Sequence, residues 1–250
     1  MTVEVICLKK SIFSAAAAAL FIALCALPAS ASISPSRAKA VWESVARPTE
    51  LTSLPFYVKK DSSPNAWVTN DKSVTVTTSL LNLLQSEDEL YCVFAHEAGH
   101  VKLKHIAKAR SRAVGLSIAS LLLGELIDSD LGSAAVNVGA NLANSGWSRA
   151  QEIEADDYAV QLAVEHDVDP VGMYRAIARL SAVNKTEPSG FNSHPPDERR
   201  MLHIKNTILE LDPKADFSSA ENIVKKAEEK KRTDDRDGSY SYDPDRDHDK

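Results

Sequence analysis

His96-Glu97-Ala98-Gly99-His100 is the stretch of this sequence best equipped for chemistry. On a helix, residues i and i+4 share a face, so two imidazoles at that spacing can reach one metal ion. Glu97, beside the first histidine, is placed to act as a base on a metal-activated water. The flanks support a helix. Ser86 with Glu89 reads as a capping box, and Leu90, Val93, Phe94 and Val101 give an apolar stripe. Three fixed residues in five do not decide a function, so the rest of the chain must.

A catalytic zinc site usually takes three protein ligands and keeps a fourth position open. The third ligand should come from another element, and Glu152 is the strongest candidate. It falls on a helix predicted to begin near Ser148, with Asp156 four residues later on the same face. That spacing lets Glu152 bind zinc while Asp156 accepts a hydrogen bond from a ligand histidine. Glu154 points about 200° away around the same helix. His105, five residues after His100, is expected on a different face, as a solvated histidine among Lys102, Lys104 and Lys108. Cys92 lies one turn before His96 and reads as a buried structural thiol rather than a ligand.

These groups need a frame. Residues 37–46 read as a helix stopped by Pro48. Residues 55–59, 65–68 and 73–77 read as short strands separated by turns, and 79–84 as a short helix. A small sheet therefore precedes the helix of the motif, which is predicted to run from Glu87 to about Arg110. Residues 113–124 are apolar but too short to span a bilayer; they predict a buried helix, with a surface helix touching a membrane or covering the site as the rival. Residues 132–146 are small and weakly polar, a loose helix or a loop. After the helix of Glu152, Asp169 caps another with Pro170 at its first position and Val171, Tyr174, Ile177 and Leu180 facing inward. A loop over 184–196 and a helix over 197–211 follow, then a charged helix over 219–231. The fold class is α+β and mainly helical.

Composition bounds what such a frame can be. With 250 residues, 44% apolar and 26% charged, the chain suits one domain with appendages. A formal net charge of −6 and the lack of a basic stripe argue against a nucleic-acid partner. Lys9 and Lys10, an apolar stretch and Ala29-Ser30-Ala31 form a secretory signal expected to be cleaved after Ala31, with an uncleaved anchor as the rival. The organisation expected is a signal peptide (1–31), a zinc peptidase domain (32–212), a charged helix (213–231) and a disordered acidic tail (232–250). Cys7 and Cys25 leave with the signal, so only Cys92 remains and no internal disulfide can form. Export places the protein in the periplasm if its source is a Gram-negative bacterium.

Taken together, the motifs resemble the HtpX-like and CAAX-prenyl-protease family of gluzincin zinc metallopeptidases. The resemblance is carried by Pro64-Asn65-Ala66-Trp67, Ser86-Glu87-Asp88-Glu89-Leu90, His96 to Val101, Ser148-Arg149, Glu152 to Asp156, and His194-Pro195-Pro196 with Arg200. It covers about residues 37–210. It implies a mainly helical, zincin-like metalloprotease domain with a small sheet before the motif helix. It also implies one Zn2+ per chain held by His96, His100 and Glu152, with Glu97 as catalytic base. By analogy with gluzincins, the strand holding Asn65 and Ala66 would pair with the substrate backbone. The chain lacks the transmembrane helices of the integral-membrane members and is more similar to the soluble periplasmic branch, associated with protein quality control.

In the mechanism these residues suggest, Glu97 takes a proton from the zinc-activated water and returns it to the leaving amine. His194 is the candidate donor to the oxyanion, with Arg200 as its neighbour or a substrate contact. Alternatively, His194 fills the open zinc position and holds the enzyme latent. The leading expectation is an exported zinc endopeptidase acting on misfolded or mis-assembled envelope proteins, with peripheral membrane contact open. The alternative is a zinc-bearing periplasmic chaperone or assembly factor with little proteolysis. Glu97 favours the enzyme.

Overall fold

The computed structural model describes residues 32–68, 73–108, 111, 147–184, 194 and 198–237. The expected signal peptide, the stretch 113–146 and the tail beyond residue 237 lie outside the described residues. No described helix is long and apolar enough to cross a membrane. The class is α+β as expected: helices around one three-stranded sheet among the described residues.

Helix α1 (Pro35–Ala46) begins two residues earlier than expected. Ser34 caps it by accepting the Arg37 N–H, and Pro35 supplies a φ already suited to the first turn. Strands β1 (Phe56–Lys59), β2 (Ala66–Val68) and β3 (Val74–Thr77) form a sheet in the order β1-β3-β2. β3 runs parallel to β1, with Phe56 opposite Val74, and antiparallel to β2, with Ala66 opposite Val76. All four residues of β3 are buried, as a central strand covered on both faces requires. The Thr77 hydroxyl closes this end of the sheet. It donates to the Ser63 carbonyl, accepts the Asn65 N–H, and accepts the Leu80 N–H at the start of α2 (Thr78–Leu83).

Helix α3 (Glu87–Lys102) carries the motif through the middle of the molecule. Every residue from Glu89 to His100 is buried, so the apolar stripe expected from sequence is instead a helix enclosed all round. Helices α1, α4 (Arg149–Glu165) and α5 (Val171–Asn184) and strand β2 enclose it. Phe94 meets Trp42 and Phe56 edge-on, with ring centroids 5.8 and 5.9 Å apart. Ser86 accepts the Glu89 N–H as a capping box demands. The Glu89 carboxylate, however, takes the N–H of Gln85, one residue before the cap, and pairs with Arg179 at 3.0 Å and Arg175 at 3.5 Å. It therefore ties α5 to the start of α3.

Two glycines set the closeness of these helices. A Cβ on Gly99 would lie 3.2 Å from the Tyr158 ring of α4. A Cβ on Gly172 would lie 2.7 Å from the Asp88 carbonyl oxygen, which is backbone and cannot swing aside. Gly172→Ala should therefore push α5 off α3 and cost about 1–3 kcal/mol. Denaturant unfolding checks this, and an unchanged midpoint would refute it.

The motif helix was expected to reach Arg110 but ends at Lys102. Leu103 and Lys104 form a turn in which Lys104 adopts φ 58°, a left-handed conformation an α-helix cannot contain, and residues 105–108 then resume helical turns. Helix α6 (Glu198–Leu211) buries Arg200, Ile204 and Ile208 at a four-residue spacing against α4 and α5. Helix α7 (Ser218–Asp237) runs past Lys231 into residues expected to be disordered from 232 onward. The Thr233 hydroxyl donates to the Lys230 carbonyl at 2.6 Å, closing on the preceding turn instead of breaking it.

Candidate metal centre

The four-residue spacing on α3 brings the Nε2 atoms of His96 and His100 to 3.1 Å from each other. Helix α4 enters alongside with its own capping box, Ser148 with Gln151, which sets Glu152 one residue into the second half of its first turn. The Glu152 carboxylate lies 3.6 Å from His96 Nε2 and 3.4 Å from His100 Nε2. His194 adds a third imidazole, its Nδ1 3.2 Å from His96 Nε2 and 3.0 Å from Glu152 Oε1. One donor atom from each of His96, His100, Glu152 and His194 lies within 4.8 Å of the others, and all four residues are buried.

The surroundings test whether this group fits a metal. His96 Nδ1 lies 2.8 Å from Asp156 Oδ1, and His100 Nδ1 lies 2.8 Å from His105 Nδ1. A neutral imidazole carries one N–H. With that proton on Nδ1 in both rings, both Nε2 lone pairs point into the space shared with Glu152. Two lone pairs and a carboxylate oxygen converging on one buried point form a donor set for a cation, and two imidazole nitrogens with a carboxylate oxygen suit zinc. The residues fit.

Burial would raise the Glu152 carboxyl, but His194, His100 and His96 outweigh it and hold the group well below the usual carboxylate range. For Asp156 burial is likewise outweighed, by Arg200 and His96. Burial presses His100 toward its neutral form, the form a metal ligand needs. Burial pushes Glu97 up, against the opposing pull of His194 and His96. A carboxylate moved toward neutrality is a better base.

Glu97 stands outside the four-donor group. It is 3% exposed, with Oε1 3.5 Å from His194 Nε2. The Val68 backbone in β2 exerts a smaller downward pull on the same carboxyl, which sets the strand beside it. Asn65 and Ala66 lie at the start of that strand. Asn65 gives its N–H to the Thr77 hydroxyl and takes the Thr77 N–H on its carbonyl, so its backbone faces β3. By alternation, Ala66 and Val68 turn their backbone away from β3, and Ala66 is fully buried there.

Arg200 is 2% exposed. It grips Asp156 with two hydrogen bonds of 2.7 and 2.8 Å, reaches Glu152 at 2.6 Å and donates to the His194 carbonyl at 3.3 Å. The structure thus makes it the neighbour of His194, with its guanidinium turned to the chain's own acids. Cys92 is fully buried and outside the group.

Two neighbours of the site were not foreseen. His105 is buried, not solvated. The turn at Leu103–Lys104 brings it back beneath His100, and Glu154 reaches its Nε2 at 3.1 Å. Trp147 stacks on His100, centroids 4.4 Å apart and planes 18° from parallel. Its one sequence signal is adjacency to the Ser148 cap.

Comparison with known proteins agrees with this geometry. The model of peptidase family M48 matches residues 34–208. Metalloprotease LoiP of Escherichia coli (strain K12) is 30% identical over 156 residues, 61% of each chain. Metalloprotease YcaL of the same organism is 29% identical over 169 residues, 63% of each chain. The beta-barrel assembly-enhancing protease of that organism is 24% identical over 189 residues, 70% of this chain and 39% of its own. The chain thus spans less than two thirds of the length of each of these relatives.

Proposed function

The chain belongs to peptidase family M48, a zinc metalloprotease family, and from that premise we propose that it is an exported endopeptidase that hydrolyses peptide bonds of misfolded or mis-assembled envelope proteins. The observation that carries the reading is a base, Glu97, on the helix that also carries two of the four buried metal donors.

When bound, zinc supplies Lewis acidity and lowers the pKa of water. His96, His100 and Glu152 would hold it, with Asp156 fixing the His96 ring. Glu97 takes the water's proton and delivers it to the departing amine nitrogen. An extended substrate pairs with β2 on the side turned away from β3, where Ala66 and Val68 lie, which lays its chain beside Glu97. Export is supported by the N-terminal signal pattern. A quality-control role is supported by similarity to proteins named for enhancing β-barrel assembly.

His194 sits inside the donor group. That position supports the holding role over donation to an oxyanion: with four protein donors the site is closed. Replacing His194 with Ala should raise casein cleavage while zinc stays bound. A tenfold fall would give His194 to the oxyanion instead.

The reading itself is tested by incubating the purified chain with unfolded casein, with and without a zinc chelator. Chelator-sensitive cleavage supports the peptidase. Binding of casein without cleavage, even in the His194→Ala variant, would favour a chaperone or assembly factor.

A further inference from the structure

The geometry points to His105 as a positioning residue for the metal centre: it decides which nitrogen of His100 is free to bind zinc, and Glu154 in turn decides the tautomer of His105. The inference rests on the reading that His100 binds zinc.

His100 Nδ1 and His105 Nδ1 face each other at 2.8 Å. One of them must donate and the other accept. If His105 donates, His100 must carry its proton on Nε2, the atom that points at His96 and Glu152, and it cannot then bind a metal there. If His105 accepts, His100 carries its proton on Nδ1 and its Nε2 lone pair is free. Glu154 settles the choice. Its Oε2 lies 3.1 Å from His105 Nε2 and, as a carboxylate, only accepts. His105 therefore keeps its proton on Nε2 and presents a lone pair to His100. One surface carboxylate fixes both rings in series, and Lys108, 3.6 Å from the same oxygen, shares that carboxylate.

The backbone is built for this contact. On a continuous helix a residue five after His100 would face elsewhere. The Lys104 residue at φ 58° ends α3 and turns His105 back under the site. Gln151, the capping-box partner beside Glu152, donates its side-chain N–H to the His105 carbonyl at 3.4 Å. Trp147 covers the face of the His100 ring. His100 is thus fixed at Nδ1 by His105 and across its face by Trp147. His96 has the ordinary arrangement, a carboxylate on Nδ1; His100 has a histidine interposed between ring and carboxylate.

Zinc affinity, measured by competition with a chelator of known strength on the full chain, tests the inference. His105→Phe keeps the bulk of the ring and removes both nitrogens, and should weaken zinc binding about 10- to 100-fold. His105→Asn, which places an oxygen near the Nδ1 position, should recover most of that loss. A merely space-filling role would make Phe the better substitute. Nitrogen NMR of the zinc-loaded chain should show the His100 proton on Nδ1. Glu154 is half exposed, so Glu154→Leu should fold even if His105→Phe does not, and should weaken zinc up to about tenfold. Unchanged affinity in Glu154→Leu and in a folded His105→Phe, or Phe equal to Asn, overturns the inference. His100→Ala with wild-type zinc affinity would instead overturn the underlying reading that His100 is a ligand.

Discussion

Glu97→Gln is expected to lower peptide hydrolysis by about 10²- to 10⁴-fold, the usual worth of a positioned general base, while zinc stays near one equivalent per chain. The substitution changes almost nothing but the proton chemistry. Gln has the shape and volume of Glu, so the buried site around residue 97 keeps its packing. Its amide cannot take a proton from water. The residue is absent from the group of four donors that converge on one point, so the metal should not notice the change. Casein cleavage and elemental analysis of the same sample read the two outcomes separately. Loss of zinc along with activity would make Glu97 a ligand rather than a base, and full activity would remove it from the mechanism.

The largest expected effect on stability comes from Arg200. Helix α6 delivers its guanidinium into a space where Asp156 and Glu152 have no solvent. Asp156 is bound through both oxygens, at 2.7 and 2.8 Å, in the fork geometry that suits a guanidinium and a carboxylate. Removing one partner of a buried ion pair leaves the other uncompensated, which costs about 3–5 kcal/mol. For a chain of this size Arg200→Ala should lower the melting temperature by about 6–20 °C. Arg200→Lys should recover part of the loss, because it restores the charge without the fork. Thermal unfolding of the zinc-loaded chain checks both, and a shift below about 2 °C for Arg200→Ala would show that water or metal compensates the acids instead.

The local parts of this site were legible in the residue order. Positions 96 and 100 need only helical periodicity to share a face, and 152 and 156 repeat the rule on a second helix. The cap at Ser86 fell where expected and the helix expected to begin at Ser148 does begin there, each with a local hydrogen bond within one turn. What the sequence hid is what depends on departures from periodicity or on distant partners. His105 was placed on the wrong face because a helix projected through Lys104 is a helix that does not exist there. Arg200 carries no local sign that its partners are Asp156 and Glu152, more than 40 residues away in sequence. Likewise Glu89 looked like half of a capping box, yet Arg175 and Arg179 claim it across a helix interface. The buried stripe on α3 holds at Leu90, Val93 and Phe94, but the burial extends all round the helix: enclosure by several elements is a property of the assembly, and small residues such as Gly99 hide how closely those elements approach.

Twelve consecutive buried residues on α3, Glu89 to His100, have one more consequence. Hydrogen exchange at such a helix proceeds through opening of the whole core rather than by fraying. His96, deep in that run, is therefore held by the core rather than by a local segment, while His100 lies one turn from the helix end. Among the described residues, Glu152, His194 and the covering Trp147 are held by other elements and are the groups placed to move when the ion comes or goes. Metal turnover in this protein should accordingly be gated by side-chain rearrangement, slow under conditions where the fold is intact and abrupt once the core opens.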